Sequence, residues 1–353
     1  MIDEFPAFFI AAACARRETL VTGAGELRGK ERDRIAVMAR GLDPEVAFEK
    51  IQFPAVLTSP TSEHAVLALG DVRQEFRLLI APLADVVAGT ATWRQLADFT
   101  DEVTDLDLNG DELHLLSTRG HPRGRILRAS AKAADLSKAT EVVPESMLVL
   151  QSIKRGKDGL YLQAMDGGLG RLKRLGIDDK LVDVALPFDG MLTGLAADPT
   201  TPGAVMLLSG WLTPSGVWSV DADGQVVDAG LTPKPPIDVS PYMTERRFAT
   251  AKDGTRIPYD LIYRKGLKRD GSNPAFISAY GSYGSPGYRP SFAGRTLALI
   301  EQGAIVGYAA VRGGGEYGRD WHRAGTLENK PNTWRDLIAL CEDSIAGGYT
   351  PPS

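Results

Sequence analysis

A β-propeller followed by an α/β sheet is the architecture this sequence predicts, and three observations carry it. A strand-turn unit recurs at steps of 46, 47, 47 and 45 residues when Leu20, Val66, Leu113, Leu160 and Val205 are taken as equivalent positions. A second strand type keeps the same period through Ile35, Leu78, Ile126, Leu172 and Val217, at steps of 43, 48, 46 and 45. Beyond a proline-rich seam the grammar changes to apolar strands alternating with amphipathic helices.

Along the chain, the first strand type reads RRETLVTG, TSEHAVLAL, NGDELHLLS, GKDGLYLQA and TPGAVMLLS. The second reads RDRIAVMA, FRLLIAPL, RGRILRAS, GRLKRLGI and SGVWSVDA. Asn109-Gly110, Asp158-Gly159 and Asp223-Gly224 supply hairpin turns between short strands. Repeats of about 40 to 50 residues built this way are propeller blades, whereas a helical repeat would need apolar spacing at 3.6 residues. Five blades fit before residue 238. Four prolines in TPKPPIDVSPY, Thr232 to Tyr242, then break the period as an interdomain seam would. RRFATAKDGTRIPYDLIYRKG predicts a hairpin turning at Asp253-Gly254. PAFISAY and AIVGYAAV predict buried strands, and AGRTLALIEQG and NTWRDLIALCEDSIAGG predict helices. The domain division expected is 1–238 and 239–353.

Composition narrows the function classes. Hydrophobic content of 43% and charged content of 24% are those of an ordinary globular chain. A net charge of -5 argues against nucleic acid or an anionic membrane as partner. Cys14 and Cys341 have neither disulfide-framework nor metal spacing, and no motif suggests a metal, nucleotide or other cofactor. The apolar start MIDEFPAFFIAAACA opens with Asp3 and Glu4 where a secretion leader carries positive charge. It reads as a strand edge or a truncation scar, and a cytoplasmic location is the expectation, with a periplasmic or secreted parent left open.

Two glycine-rich loops follow the buried strands. In VRGGGEYGRDWH, Gly313, Gly314 and Gly315 stand between Arg312 and Glu316. A phosphate loop needs a Lys-Ser/Thr ending or GxGxxG leading into a helix, and neither is present. The glycines instead suit a loop at the carboxyl end of a central strand, shaping a neighbouring site. AYGSYGSPGY, Ala279 to Tyr288, occupies the place where an α/β-hydrolase builds part of its oxyanion hole. A tyrosine such as Tyr280 could there donate its phenol to a developing negative charge.

KDGTRIPYDLIYRKG, NPAFISAYGSYG, VRGGGEYGRDWHRAG and KPNTWRDLIALCEDSIAGGYT together resemble the start of the catalytic domain of the prolyl oligopeptidase family of serine peptidases, which includes oligopeptidase B. The resemblance implies a partial β-propeller, about five blades of seven, followed by the first part of an α/β-hydrolase domain. It implies that Tyr280 is the oxyanion donor, that Tyr283 lines the substrate pocket, and that Arg312 to Glu316 shape the site. Asn332 and Asp336 match the following helix, where a structural role is expected. The implied partner is a short peptide substrate. The YGSYG spelling is closer to oligopeptidase B than to the YGGF of strict prolyl enzymes, so a preference for proline or a basic residue stays open.

A serine peptidase needs a nucleophile, a histidine and an orienting carboxylate, with the serine in Gly-x-Ser-x-Gly. That motif occurs nowhere in the 353 residues. His64, His114, His121 and His322 are expected to be structural or solvated. The expectation is therefore an internal fragment of a serine oligopeptidase, inactive alone, with nucleophile, base and acid absent from the chain. A non-catalytic propeller interaction module, or an esterase or acyl-peptide hydrolase of the same fold, are the alternatives.

Overall fold

The computed structural model describes residues 52–233 and 237–352. The first expected blade, with Leu20 and Ile35, the N-terminal apolar run and Cys14 lie outside the described residues. The described chain divides into two compact units. Of the described residues, one unit comprises 52–119 and 126–143, the other 120–125, 144–233 and 237–352.

The first unit holds two four-stranded antiparallel sheets. The first contains β1 (Phe53–Thr58), β2 (His64–Gly70), β3 (Arg77–Pro82) and β4 (Arg94–Ala97), with a one-turn helix α1 (Leu83–Ala88) between the last two. The second contains β5 (Val103–Asn109), β6 (Glu112–Ser117), β7 (Arg125–Ser130) and β8 (Thr140–Val143). Val66, Leu78 and Ile80 of one sheet pack against Val103, Leu106 and Leu113 of the next, in a core shared by successive blades. The inner strands β2 and β6 are covered on both faces, so they read as apolar runs such as AVLAL in β2. Outer strands such as β4 and β1 are half-exposed.

The second unit begins with two more such sheets. One contains β9 (Val149–Gly156), β10 (Gly159–Asp166), β11 (Leu169–Gly176) and β12 (Leu181–Val184). The other contains β13 (Met191–Ala196), β14 (Ala204–Ser209), β15 (Gly216–Val220) and β16 (Val226–Asp228). The periodic positions thus fall on the second and third strand of every described blade. The partial propeller followed by an α/β-hydrolase start is the fold observed.

The fifth sheet has the order β17-β18-β20-β19, from β17 (Tyr242–Thr250), β18 (Arg256–Arg264), β19 (Ala275–Ala279) and β20 (Ile305–Ala309). The first two form the expected hairpin, closed at Asp253-Gly254 by the Gly254 N–H donating to the Ala251 carbonyl. β19 and β20 are parallel, with Ala279 opposite Ala309, so both chains leave the sheet side by side. Helix α2 (Gly294–Glu301) makes the crossover, burying Leu297 and Ile300. A short helix α3 (Arg319–Arg323) follows the RGGGEYG loop, where the sequence offered no helical pattern. At five residues it is a single turn, too short for periodicity to register. Helix α4 (Pro331–Ala346) starts with proline in its first turn, where the missing N–H costs nothing. It turns Asp336, Ala339, Leu340 and Ser344 inward, and Asp343 pairs with Arg247 of β17 at 2.7 Å. No helix among the described residues is long and apolar enough to cross a membrane.

Candidate active site

The loops after β19 and β20 lie back to back, because their strands are parallel neighbours. A Cβ on Gly313 would strike the Gly281 carbonyl oxygen, and one on Gly315 would strike the Gly284 carbonyl oxygen. Gly313 also has φ of 100°, a conformation that side chains disfavour. The Gly284 N–H donates to the Gly313 carbonyl at 3.2 Å, linking the two main chains directly. The amides of Arg312, Gly313 and Gly314 are taken by Asp336, the Trp321 carbonyl and the Val311 carbonyl. These amides are therefore not aimed outward as a phosphate cradle requires.

Charge anchors the second loop from beneath. Arg312, only 5% exposed, donates from Nε and Nη2 to both carboxylate oxygens of fully buried Asp336, with Nη2 to Oδ1 at 2.6 Å. Its Nη1 reaches Asp253 at 2.5 Å and Thr255 at 3.2 Å. The Arg312 hydrogen bond holds the Asp253 carboxyl down to about 2. Arg312 is thus a fork joining the β17–β18 turn to α4, which accords with the structural role expected of Asp336. Asn332 donates to the Ala324 carbonyl at 2.9 Å, tying the same helix to the end of α3.

The first loop is gripped at several points. Lys330 donates to the Gly281 carbonyl and to Ser282 Oγ. Glu316, fully buried, accepts from the Gly287 N–H at 2.6 Å and the Tyr288 N–H at 2.9 Å through the single oxygen Oε1. Burial pushes its carboxyl up to about 8. Tyr288 itself is fully buried. Against these fixed residues Tyr280 is 48% exposed, and Tyr283 is 80% exposed with φ of 59°. The segment therefore holds its glycines rigidly and presents two aromatic side chains outward.

The sequence-expected residues Tyr280, Tyr283, Arg312, Gly313, Gly314, Gly315 and Glu316 are brought into one pair of adjoining loops. His322 lies beside them, with Nδ1 3.0 Å from the Gly313 carbonyl oxygen. His114 is buried in β6, 3.4 Å from Glu112. His121 is in a turn, 3.6 Å from Glu145. Cys341 is a free thiol in α4, pushed up by burial. Sequence reasoning missed Lys330, Tyr288 and Asp260. The last had one legible signal, an acid inside the otherwise apolar strand RIPYDLIYR.

Two family models match the chain: the prolyl oligopeptidase N-terminal β-propeller domain over residues 78–227, and the prolyl oligopeptidase family over residues 290–353. A prolyl endopeptidase of Elizabethkingia meningoseptica is 29% identical over 256 residues, covering 72% of this chain and 36% of that protein. Protease 2 of Moraxella lacunata is 30% identical over 254 residues, covering 69% of this chain and 35% of its own. A solved prolyl endopeptidase structure superposes with a TM-score of 0.75 at 25% identity, covering 86% of this chain and 44% of the other. The chain thus spans less than half of the length of these relatives.

Proposed function

Since the chain belongs to the prolyl oligopeptidase family of peptidases, we propose that its loops form the oxyanion side of a serine oligopeptidase that hydrolyses short peptides. The observation that carries the reading is the pair of interlocked glycine-rich loops at the carboxyl ends of parallel β19 and β20, the place where open α/β sheets bind ligands. In this reading residues 1–238 are the partial propeller and 239–353 the beginning of the hydrolase domain. Tyr280 donates its phenol to the tetrahedral oxyanion, Tyr283 borders the pocket, and Arg312 to Glu316 hold the platform beneath them.

Catalysis by such a donor depends on its being fixed before charge develops, since hydrogen bonds that must reorganise give little selective stabilisation of the transition state. The clamps on Gly281, Gly284 and Gly287 serve that end. Nucleophile and base are supplied from outside these residues, so the 353-residue polypeptide is expected to be inert towards peptides and towards a fluorophosphonate serine probe. The test uses the gene product isolated from its source cells. There, probe labelling and peptide cleavage are expected, and Tyr280→Phe should lower kcat about 100-fold or more with KM little changed. Undiminished kcat in that variant would remove Tyr280 from the mechanism.

A further inference from the structure

Tyr288 is held at both ends by buried carboxyl groups. Its main-chain N–H donates to Glu316, and its phenol donates to Asp260 of β18. Asp260 is 3% exposed and also accepts from Trp211 Nε1 at 2.7 Å. The other oxygen of each acid, Asp260 Oδ1 and Glu316 Oε2, has no hydrogen-bond partner among the described residues. The surroundings of Tyr288 come from the propeller. A Cβ on Gly168, in the β10–β11 turn, would collide with the Tyr288 ring, and Arg246 bridges the Gly167 carbonyl at 2.6 Å and the Tyr288 phenol at 3.2 Å. Trp211 stands edge-on to Tyr288 and stacks on Tyr308 at 4.2 Å. Ser209 of β14 donates to the carbonyl of Pro290, two residues after Tyr288, at 2.7 Å.

We infer that Glu316 and Asp260 are positioning residues that act through Tyr288, pinning the Tyr280-bearing loop to the last two blades so that propeller and oxyanion donor are set together. The inference deepens the peptidase reading and rests on it for the role of Tyr280. The mechanical link is short. Gly287, whose N–H is held by Glu316, lies so close to the Tyr280 main chain that a Cβ there would strike the Tyr280 carbonyl. Freeing Glu316 therefore frees the backbone that carries the phenol.

Protonation sets the strength of the pin. Burial raises Glu316 to about 8 and Asp260 to about 6. The amide of Glu316 itself, the Gly287 amide, Arg289 and the Gly315 amide oppose the rise at Glu316, and Tyr317 lies beside it. At Asp260, the Trp211 bond and Arg246 oppose the rise and Asp189 adds to it. A neutral acid with one accepting oxygen suits the observed bonding, in which Oε1 alone takes both amides. When the loop opens, the wetted carboxyl regains an ordinary value and releases its proton. Opening is therefore easier at higher pH, up to the value of the closed state.

Amide hydrogen exchange on the 353-residue protein tests this, with Gly287 and Tyr288 as reporters and β18 as internal reference for the fold. After correction for intrinsic rates, wild-type protection at the reporters should fall by up to about tenfold per pH unit between about pH 5 and pH 8, then level off. Glu316→Gln keeps an acceptor without a proton to lose, and should flatten that slope with β18 unchanged. Tyr288→Phe should raise exchange across 280–288 about tenfold. A wild-type profile without the slope overturns the inference whether or not the variants fold. So does the same slope in Glu316→Gln, or unchanged exchange in Tyr288→Phe. A wrong role for Tyr280 would show separately, as full activity of Tyr280→Phe in the source-cell enzyme with these exchange results intact.

Discussion

Arg312 is the residue on which both loops and α4 converge. Its guanidinium is buried with Asp336, so removing either partner strands the other charge away from water. Asp336→Ala is expected to destabilise the second unit by about 3–5 kcal/mol in urea unfolding, and Arg312→Lys by a smaller amount, because an ammonium cannot reproduce the planar fork. A wild-type-like unfolding midpoint for Asp336→Ala would contradict this. Two opposite pH effects are expected at this scale. Asp253, lowered to about 2, contributes stability that is present above its unfolded value and lost as pH falls between 3.8 and that value. Glu316, raised to about 8, makes the folded state less favoured as pH climbs from 4.5 to that value. Arg312 and Glu316 were legible in the sequence as a motif, but the partners that explain them come from 24 and 28 residues away. Nothing local announces such pairs.

Among the elements, inner blade strands were visible and outer ones were not. β2, β6 and β10 are covered on both faces and therefore read as apolar runs, and β14 reads as one although Val205 and Leu207 on it are exposed. β4, β12 and β16 are short and largely solvated, and their composition matches that of loops. The RGGGEYG loop was legible as a tight, site-shaping loop, but the main chain it approaches was not. Glycine there serves close approach between two main chains. Gly313→Ala adds both a left-handed strain and a clash with the Gly281 carbonyl, and is expected to cost about 1–3 kcal/mol. Differential scanning calorimetry that showed no loss would mean the loops can part cheaply. That outcome would also weaken the case for a preorganised Tyr280.

For the whole molecule, the exposed edge of the fifth sheet sets behaviour in solution. Among the described residues β19 has a hydrogen-bonded neighbour on one side only, and Phe276 on it is 53% exposed. Unpaired apolar edges recruit other strands, so the 353-residue protein is expected to self-associate as concentration rises, and Phe276→Lys to reduce that association. Sedimentation velocity giving a monomer at all concentrations would refute it. The sequence alone determined the order of architectures, the blade period, the strand-helix alternation and the two glycine-rich loops. These follow from local chemistry: hydrophobic spacing, turn residues and glycine. Only the tertiary structure decided that Tyr288 is gripped by Glu316 and Asp260 at once, and that Gly167, Gly168, Ser209 and Trp211 of the blades close around it. Such contacts join residues as far as 120 positions apart, as Gly168 and Tyr288 are. Their energy lies in burial and mutual geometry, which no short stretch of sequence contains.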